Sequence, residues 1–246
     1  MKIAHISDLH MTGSNFIPEW GENLLKIISS ISPEVLLITG DFTDKGHSYE
    51  YDKAKAFVDR FGDVKKIIVP GNHDSKNMGY LIFEELFGTR FPYFENEKVV
   101  ILGLDSTEPD LTEGHVGREN YGMIRGKMLN KEKIKILCLH HHLISVPGTG
   151  RERNIAVDAG ELLKLCTDIK VNFVLSGHKH LPWVWKLENT YFITAGTATS
   201  RRFKGRTHPS FNLMELGREE IVINEINVSD ESSREILRIP NTFVGK

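Results

Sequence analysis

Cysteine is nearly absent from this sequence. The 246 residues hold only Cys138 and Cys166, each inside an apolar run. That is too little for a disulfide framework and reads as two buried thiols in a reducing compartment, so a cytoplasmic protein is expected. Long hydrophobic runs are missing too. No stretch approaches the roughly 20 apolar residues of a bilayer-spanning helix, and no basic, apolar and small-residue export signal opens the chain. No membrane span is therefore expected. Net charge is small, a formal −2, which excludes a general attraction for nucleic acid and leaves any anionic substrate to be drawn in locally. Repeats, low-complexity tracts and Pro/Ser-rich linkers are also missing, and residues 1–246 read as a single domain.

What is present is an ordinary globular composition, 40% hydrophobic and 26% charged, enough to bury a core. Short β-branched apolar runs alternate with segments of helical period. Strands are predicted at Lys2–Ser7, Val35–Thr39, Lys65–Val69, Val99–Leu104, Ile134–Leu139 and Phe173–Ser176. Helices are predicted at Pro18–Ile31, Ser48–Phe61, Tyr80–Phe87 and Asp158–Ile169, each opened by a residue suited to the first turn or to capping. After Gly177 the pattern is strands alone: Trp183–Leu187, Tyr191–Thr194, Phe211–Leu216 and Glu220–Val228. These are expected to form an antiparallel meander. Together the two parts predict an α/β (α+β) fold of two sheets packed face to face with helices outside. Leu143–Val157, rich in Gly and Arg and without period, reads as a mobile loop.

The polar residues carry the chemistry, because five apolar strands each end in carboxylate, histidine or asparagine. The first runs into Asp8 and His10, the second into Asp41 and Asp44, the third into Asn72, His73 and Asp74. Ile134–Leu139 runs into His140, His141 and His142, and Phe173–Ser176 into His178 and His180. Ligands bind beyond the carboxyl ends of parallel strands, so these ends converge on one place. Any one block alone is more often a turn or a cap, but five at five strand ends are not. The converged set mixes hard oxygens with imidazoles, which suits manganese, iron or zinc better than a calcium cage or a thiolate site. Seven or more ligands exceed what one ion uses. Two ions sharing a carboxylate use them all and clamp both oxygens of a displacement at phosphorus.

In order, these blocks are DxH, GDxxD, GNHD, a strand-end His and GHxH, and they resemble the calcineurin-like metallophosphoesterases from Asp8 to His180. The resemblance implies a four-layer αββα sandwich of two mixed β-sheets flanked by helices, and two divalent or trivalent metal ions, with manganese the first choice. It places Asp8, His10, Asp41 and His180 on one ion, and Asp41, Asn72, His141 and His178 on the other. Among the three histidines His141 is the first choice and His140 the second. It implies attack by a hydroxide held between the ions, His73 as the catalytic histidine, Asn72 touching ion and phosphate, and the Asp44 carboxylate orienting His73.

Departures narrow the substrate. Lys45 and Asp74 stand where protein Ser/Thr phosphatases carry Arg and Glu, so that lineage is disfavoured. GNHD, the His cluster and the modest length look more like class III cyclic-nucleotide phosphodiesterases and glycerophosphodiesterases, which implies a small phosphodiester substrate. The alternatives are a nuclease resembling the double-strand-break repair family, a phosphomonoesterase or nucleotide pyrophosphatase, and a metal-free interaction scaffold. A nuclease needs an extended basic surface, and only Arg151 with Arg153 and the group Arg201, Arg202, Lys204, Arg206 offer one, so nucleic acid is not favoured. Trp183 and Trp185 alternate with Val184 as in ordinary strand packing. The segments 143–157 and 198–208 are expected to set specificity.

Overall fold

The computed structural model describes residues 1–129, 131–150, 154–205 and 208–243, so Arg151, Arg153 and Arg206 lie outside the described residues. One six-stranded sheet joins β1 (Lys2–Ile6), β2 (Val35–Thr39), β3 (Lys65–Val69), β10 (Ser210–Leu216), β11 (Glu220–Asn227) and β12 (Ser233–Pro240) in the order β12-β11-β10-β1-β2-β3. The other joins β4 (Tyr93–Glu95), β5 (Val99–Gly103), β6 (Ile134–Cys138), β7 (Phe173–Ser176), β8 (Trp183–Leu187) and β9 (Thr190–Thr194) in the order β4-β5-β6-β7-β9-β8. Both sheets are mixed. β1-β2-β3 and β5-β6-β7-β9 run parallel, and the remaining pairs run antiparallel.

Side-chain alternation along the parallel strands builds three cores. Ile3, Leu37 and Val69 of one sheet meet Ile101, Ile136 and Leu175 of the other. Their neighbours Ile6, Leu36 and Ile38 turn outward onto α1 (Pro18–Ile31), α2 (Ser48–Asp59) and α3 (Gly79–Phe87). Across the molecule, Val100, Leu137 and Val174 turn outward onto α4 (Tyr121–Met128) and α5 (Ala159–Asp168). Strands buried on both faces are why these runs lack a polar alternation. The layers are thus helix, sheet, sheet, helix, as expected. Cys138 packs between the sheets and Cys166 lies on the buried face of α5, so the two thiols sit in different cores.

α1 shows how locally this is written. Pro18 occupies the first turn, where a missing N–H costs nothing, and Leu24, Ile27 and Ile28 are buried on one face. Each such side chain contributes about 1.5–3 kcal/mol. Ser32 then takes a left-handed φ of 50°, donates its N–H to Ile28 O, and Pro33 prevents continuation. At α2 the N-cap is His47 rather than Ser48, and its N–H is held by the Glu50 carboxylate at 3.0 Å. α1 starts from Ile17 without a side-chain cap. Asp158, before α5, instead accepts from the Val116 and Gly117 amides and Tyr121 Oη.

Two other expectations are corrected. The strands after Gly177 do not make one meander: β8 and β9 complete one sheet while β10 to β12 extend the other from β1. A period of two identifies a strand but not the sheet it joins. Trp183 and Trp185 lie on the edge strand β8 and are 37% and 38% exposed, with Val184 turned to the core. The segment read as a mobile loop is anchored in part, since Leu143 and Val146 are buried and Trp185 Nε1 donates to Ser145 O.

Candidate metal centre

The carboxyl ends of β1, β2, β3, β6 and β7 meet at one edge of the sandwich. Backbone geometry makes the meeting abrupt: Asp8, His10, Asp41, His178 and His180 all have φ between 45° and 70°. Left-handed backbone in residues other than glycine costs about 1–3 kcal/mol each and persists only where the surroundings enforce it. Here they do. Asp8 N–H donates to Gly40 O and His10 N–H to Asp41 O, locking the first two turns together. Thr197 Oγ1 and Thr199 Oγ1 donate to Asp8 O and Leu9 O, both at 2.6 Å. Glycine is required beside them, since a Cβ at Gly71 would run into the Asp41 carboxylate and one at Gly177 into Ser7 Oγ.

Asp8, His10, Asp41 and His180 form the first cluster, all buried. His180 donates its Nδ1–H to Arg202 O at 2.5 Å, which leaves Nε2 with a lone pair 3.1 Å from Asp8 Oδ1. His10 Nδ1 lies 3.2 Å from Asp44 Oδ1, an ion-pair contact, and 3.3 Å from Arg202 Nη1; in the tautomer that carries its proton on Nδ1 toward the carboxylate, Nε2 has the lone pair. The two Nε2 atoms then face each other at 3.3 Å. Asp8 Oδ1 is buried without a hydrogen-bond donor in proper geometry.

His140, His141 and His178 form the second cluster, with Asn72 Oδ1 against His140 and His178. His140 donates Nδ1–H to Thr39 O at 2.7 Å, leaving Nε2 at 3.2 Å from Asn72 Oδ1 and 3.1 Å from His178 Nδ1. His178 Nδ1 is 3.0 Å from Asn72 Oδ1. His141, the first choice from the sequence, is close by but differently engaged. Its Nδ1 meets Ser106 Oγ at 2.9 Å and its Nε2 meets Thr112 O at 3.2 Å. The reason is the strand: β6 ends at Cys138, and it is His140 whose ring falls on the Asn72 side.

Asp41 joins the clusters. The His73 amide holds its Oδ1 at 2.9 Å, while Oδ2 faces His10 Nε2 at 3.7 Å and His140 Nε2 at 3.5 Å. Burial opposes its charge, but His140, His73 and His10 outweigh burial and hold the carboxyl well below the usual range. Asp8 is also lowered, burial being outweighed by His180. His140 is pushed up despite burial by Asp41 and Asp8, whereas burial pushes His10 and His178 down and His141 to about 3. Ionised carboxylates and opposed imidazole lone pairs repel one another unless cations sit among them, and hard oxygen with imidazole nitrogen is a donor set for first-row divalent ions. The residues present fit such metals.

His73 and Asp44 correct a further expectation. His73 donates Nδ1–H at 2.6 Å to the main-chain carbonyl of Asp44, not to its carboxylate. The carboxylate faces His10 and Arg202 Nη2, the latter at 2.8 Å. Lys76 Nζ, at 3.4 Å from the same His73 nitrogen, is a charged neighbour rather than a donor, because that nitrogen already carries a proton. A cavity of about 620 Å³ opens over both clusters, lined by Asp41, Asn72, His73, His178 and His180. Thr149, Gly150 and Asn154 on one side and Arg202, Phe203 and Lys204 on the other complete its wall, so both expected specificity segments reach it, and the two tryptophans do not. Sequence reading missed Thr197, Thr199 and Ser106, whose small hydroxyls carry no motif.

Residues 1–182 match the calcineurin-like phosphoesterase family, and the chain belongs to it. It is a metal-dependent phosphoester hydrolase. A probable cyclic nucleotide phosphodiesterase of Vesicomyosocius okutanii is 28% identical over 224 residues, 87% of this chain and 93% of its own. A probable glycerophosphodiester phosphodiesterase of Arcobacter nitrofigilis is 30% identical over 126 residues, 46% of this chain and 44% of its own. Among solved structures, a purple acid phosphatase from yellow lupin seeds shares the fold with a TM-score of 0.72 at 13% identity, over 96% of this chain and 52% of that one. No helix among the described residues is long and apolar enough to cross a membrane.

Proposed function

We propose that this chain, as a single domain, hydrolyses a small phosphodiester of the cyclic nucleotide or glycerophosphodiester type at a two-metal centre bridged by Asp41. Asp8, His10, Asp41 and His180 hold one ion, and Asp41, Asn72, His140 and His178 the other, with His140 taking the place first given to His141. The observation that carries this reading is the single oxygen Asp41 Oδ2 facing a histidine of each cluster. Manganese or iron suits the donors best, and two buried free thiols suit a cytoplasmic setting.

When bound, the cations supply Lewis-acid clamping of the phosphoryl oxygens and acidification of water. The chain's own residues do the rest. Lys204 on the cavity wall attracts the phosphodiester anion locally, which the small net charge does not do. Asn72 presents its carbonyl oxygen to the second cluster. His73, with Nδ1–H fixed on Asp44 O, has Nε2 left for the substrate; as an imidazolium it hydrogen-bonds a phosphoryl oxygen through Nε2–H or gives that proton to the departing alkoxide. The cavity volume lies within the ~300–1,000 Å³ of small-molecule sites, and both relatives bear phosphodiesterase names.

The test compares bis(p-nitrophenyl) phosphate with p-nitrophenyl phosphate, with manganese and with chelator. A panel of cyclic nucleotides, glycerophosphodiesters, nucleotide pyrophosphates and single-stranded DNA follows. Chelator-sensitive preference for the diester, and for a small diester in the panel, is expected. Preference for the monoester or for DNA would overturn the substrate reading, and no manganese-dependent turnover of any ester would overturn the site.

A further inference from the structure

The segment that follows β9 lies beyond residue 182, where the family match ends, yet it packs directly on the metal centre. Ala198 N–H donates to Ser7 O, Ile17 N–H to Thr199 O and Arg201 N–H to Asn15 O, so residues 198–201 are stitched to the loop that leaves β1. Arg202 comes next and makes two contacts with the first cluster and one with the neighbouring Asp44. Its carbonyl accepts His180 Nδ1–H at 2.5 Å. Its Nη2 is 2.8 Å from Asp44 Oδ1, the oxygen that faces His10 Nδ1 at 3.2 Å. Its Nη1 is 3.3 Å from that same His10 nitrogen and donates to it in the tautomer that leaves Nδ1 unprotonated.

A metal-binding imidazole needs its other nitrogen held, because that bond fixes tautomer and ring orientation. In this chain both histidines of the first cluster have that nitrogen held by groups Arg202 supplies or secures. Asp44 needs the help. A Cβ at Gly13 would run into its Oδ2, so the carboxylate is pressed between Gly13, His10 and Arg202. The planar guanidinium reaches Asp44 and His10 from two nitrogens at once, which the single ammonium of lysine does not reproduce.

We propose that Arg202 is a positioning residue for the ion held by Asp8, His10, Asp41 and His180. Its side chain orients His10 through the Asp44 carboxylate, while the bond from His180 is to its main-chain carbonyl, which the side-chain variants keep. This rests on reading the two clusters as metal sites, and the experiment separates the two claims.

The full-length protein, stripped of metal, is titrated with Mn²⁺ by calorimetry as wild type, Arg202→Ala, Arg202→Lys, Asp44→Asn and the Arg202→Ala/Asp44→Asn double variant. Wild type takes up two ions per chain. In Arg202→Ala one of the two binds ~10–100-fold more weakly, the size expected for an outer partner of a ligand, and the other is unchanged. Arg202→Lys falls between. On the Asp44→Asn background Arg202→Ala adds little further loss, because it acts through that carboxylate, and excess Mn²⁺ restores turnover in Arg202→Ala. Two unchanged affinities in Arg202→Ala with only a raised KM would assign Arg202 to the substrate and overturn the proposal. So would full additivity with Asp44→Asn. No Mn²⁺ uptake by wild type would instead overturn the metal reading itself.

Discussion

Replacing His140 and His141 one at a time separates ligand from neighbour. His140 Nε2 lies within 3.2 Å of Asn72 Oδ1 and His178 Nδ1 and 3.5 Å from Asp41 Oδ2, so His140→Ala removes one of the four donors proposed for the second ion. The loss must exceed the ~10–100-fold that an outer partner costs. It is therefore more than about 100-fold, or over ~2.8 kcal/mol at 1.4 kcal/mol per decade. The ion drops out at micromolar metal and turnover goes with it. His141→Ala removes instead the contacts with Ser106 Oγ and Thr112 O and opens a cavity against Gly114. Its cost is to folding, about 1–3 kcal/mol, with both ions retained. Metal content per chain after gel filtration, with thermal melts of both variants, reads the two effects separately. An His141→Ala protein that loses an ion while His140→Ala keeps two would refute the assignment.

Three more outcomes follow from the geometry. His73→Ala should keep two ions per chain and lose turnover by ~10²–10⁴-fold, whereas loss of metal in that variant would make His73 a ligand. Gly71→Ala forces a Cβ onto the Asp41 carboxylate, so metal content should fall together with activity; normal content would mean that the loop yields. His5, buried against Thr39 Oγ1, is pushed by burial down to about 3 from 6.5. Between those values the unfolded chain holds a proton there and the folded chain does not. Stability from this group is full above pH 6.5 and is lost, by about 1.4 kcal/mol per pH unit, as pH falls toward 3. Thermal melts of metal-free protein from pH 7.5 to 5 should therefore show a steeper acid loss in wild type than in His5→Gln; equal slopes would sink this account.

Much of this was legible in the residues. The βα strands are short apolar runs bounded by polar ends, and the layer order follows from their burial on both faces. α4 was not legible, because Gly122 and Gly126 dilute its helical signal and only Ile124 and Met128 are buried. β12 was not, because an edge strand bearing Arg234, Glu235 and Arg238 looks like a solvated tail. At the site, residue type and strand ends mark Asp8, His10, Asp41, Asn72, His178 and His180, all of which come together. Which of His140 and His141 turns toward Asn72 depends on where β6 stops, a matter of one residue. The Asp44 carboxylate swings to His10 because Arg202 waits there, 158 positions along the chain, a distance no local pattern spans.

The proposed sharing of Asp41 by two ions is tested most directly by electron paramagnetic resonance of the metal-free protein titrated with Mn²⁺. Two ions per chain with an exchange-coupled spectrum, lost in Asp41→Ala, is the predicted result. One ion per chain, or two that give independent single-ion spectra, would contradict a carboxylate bridge.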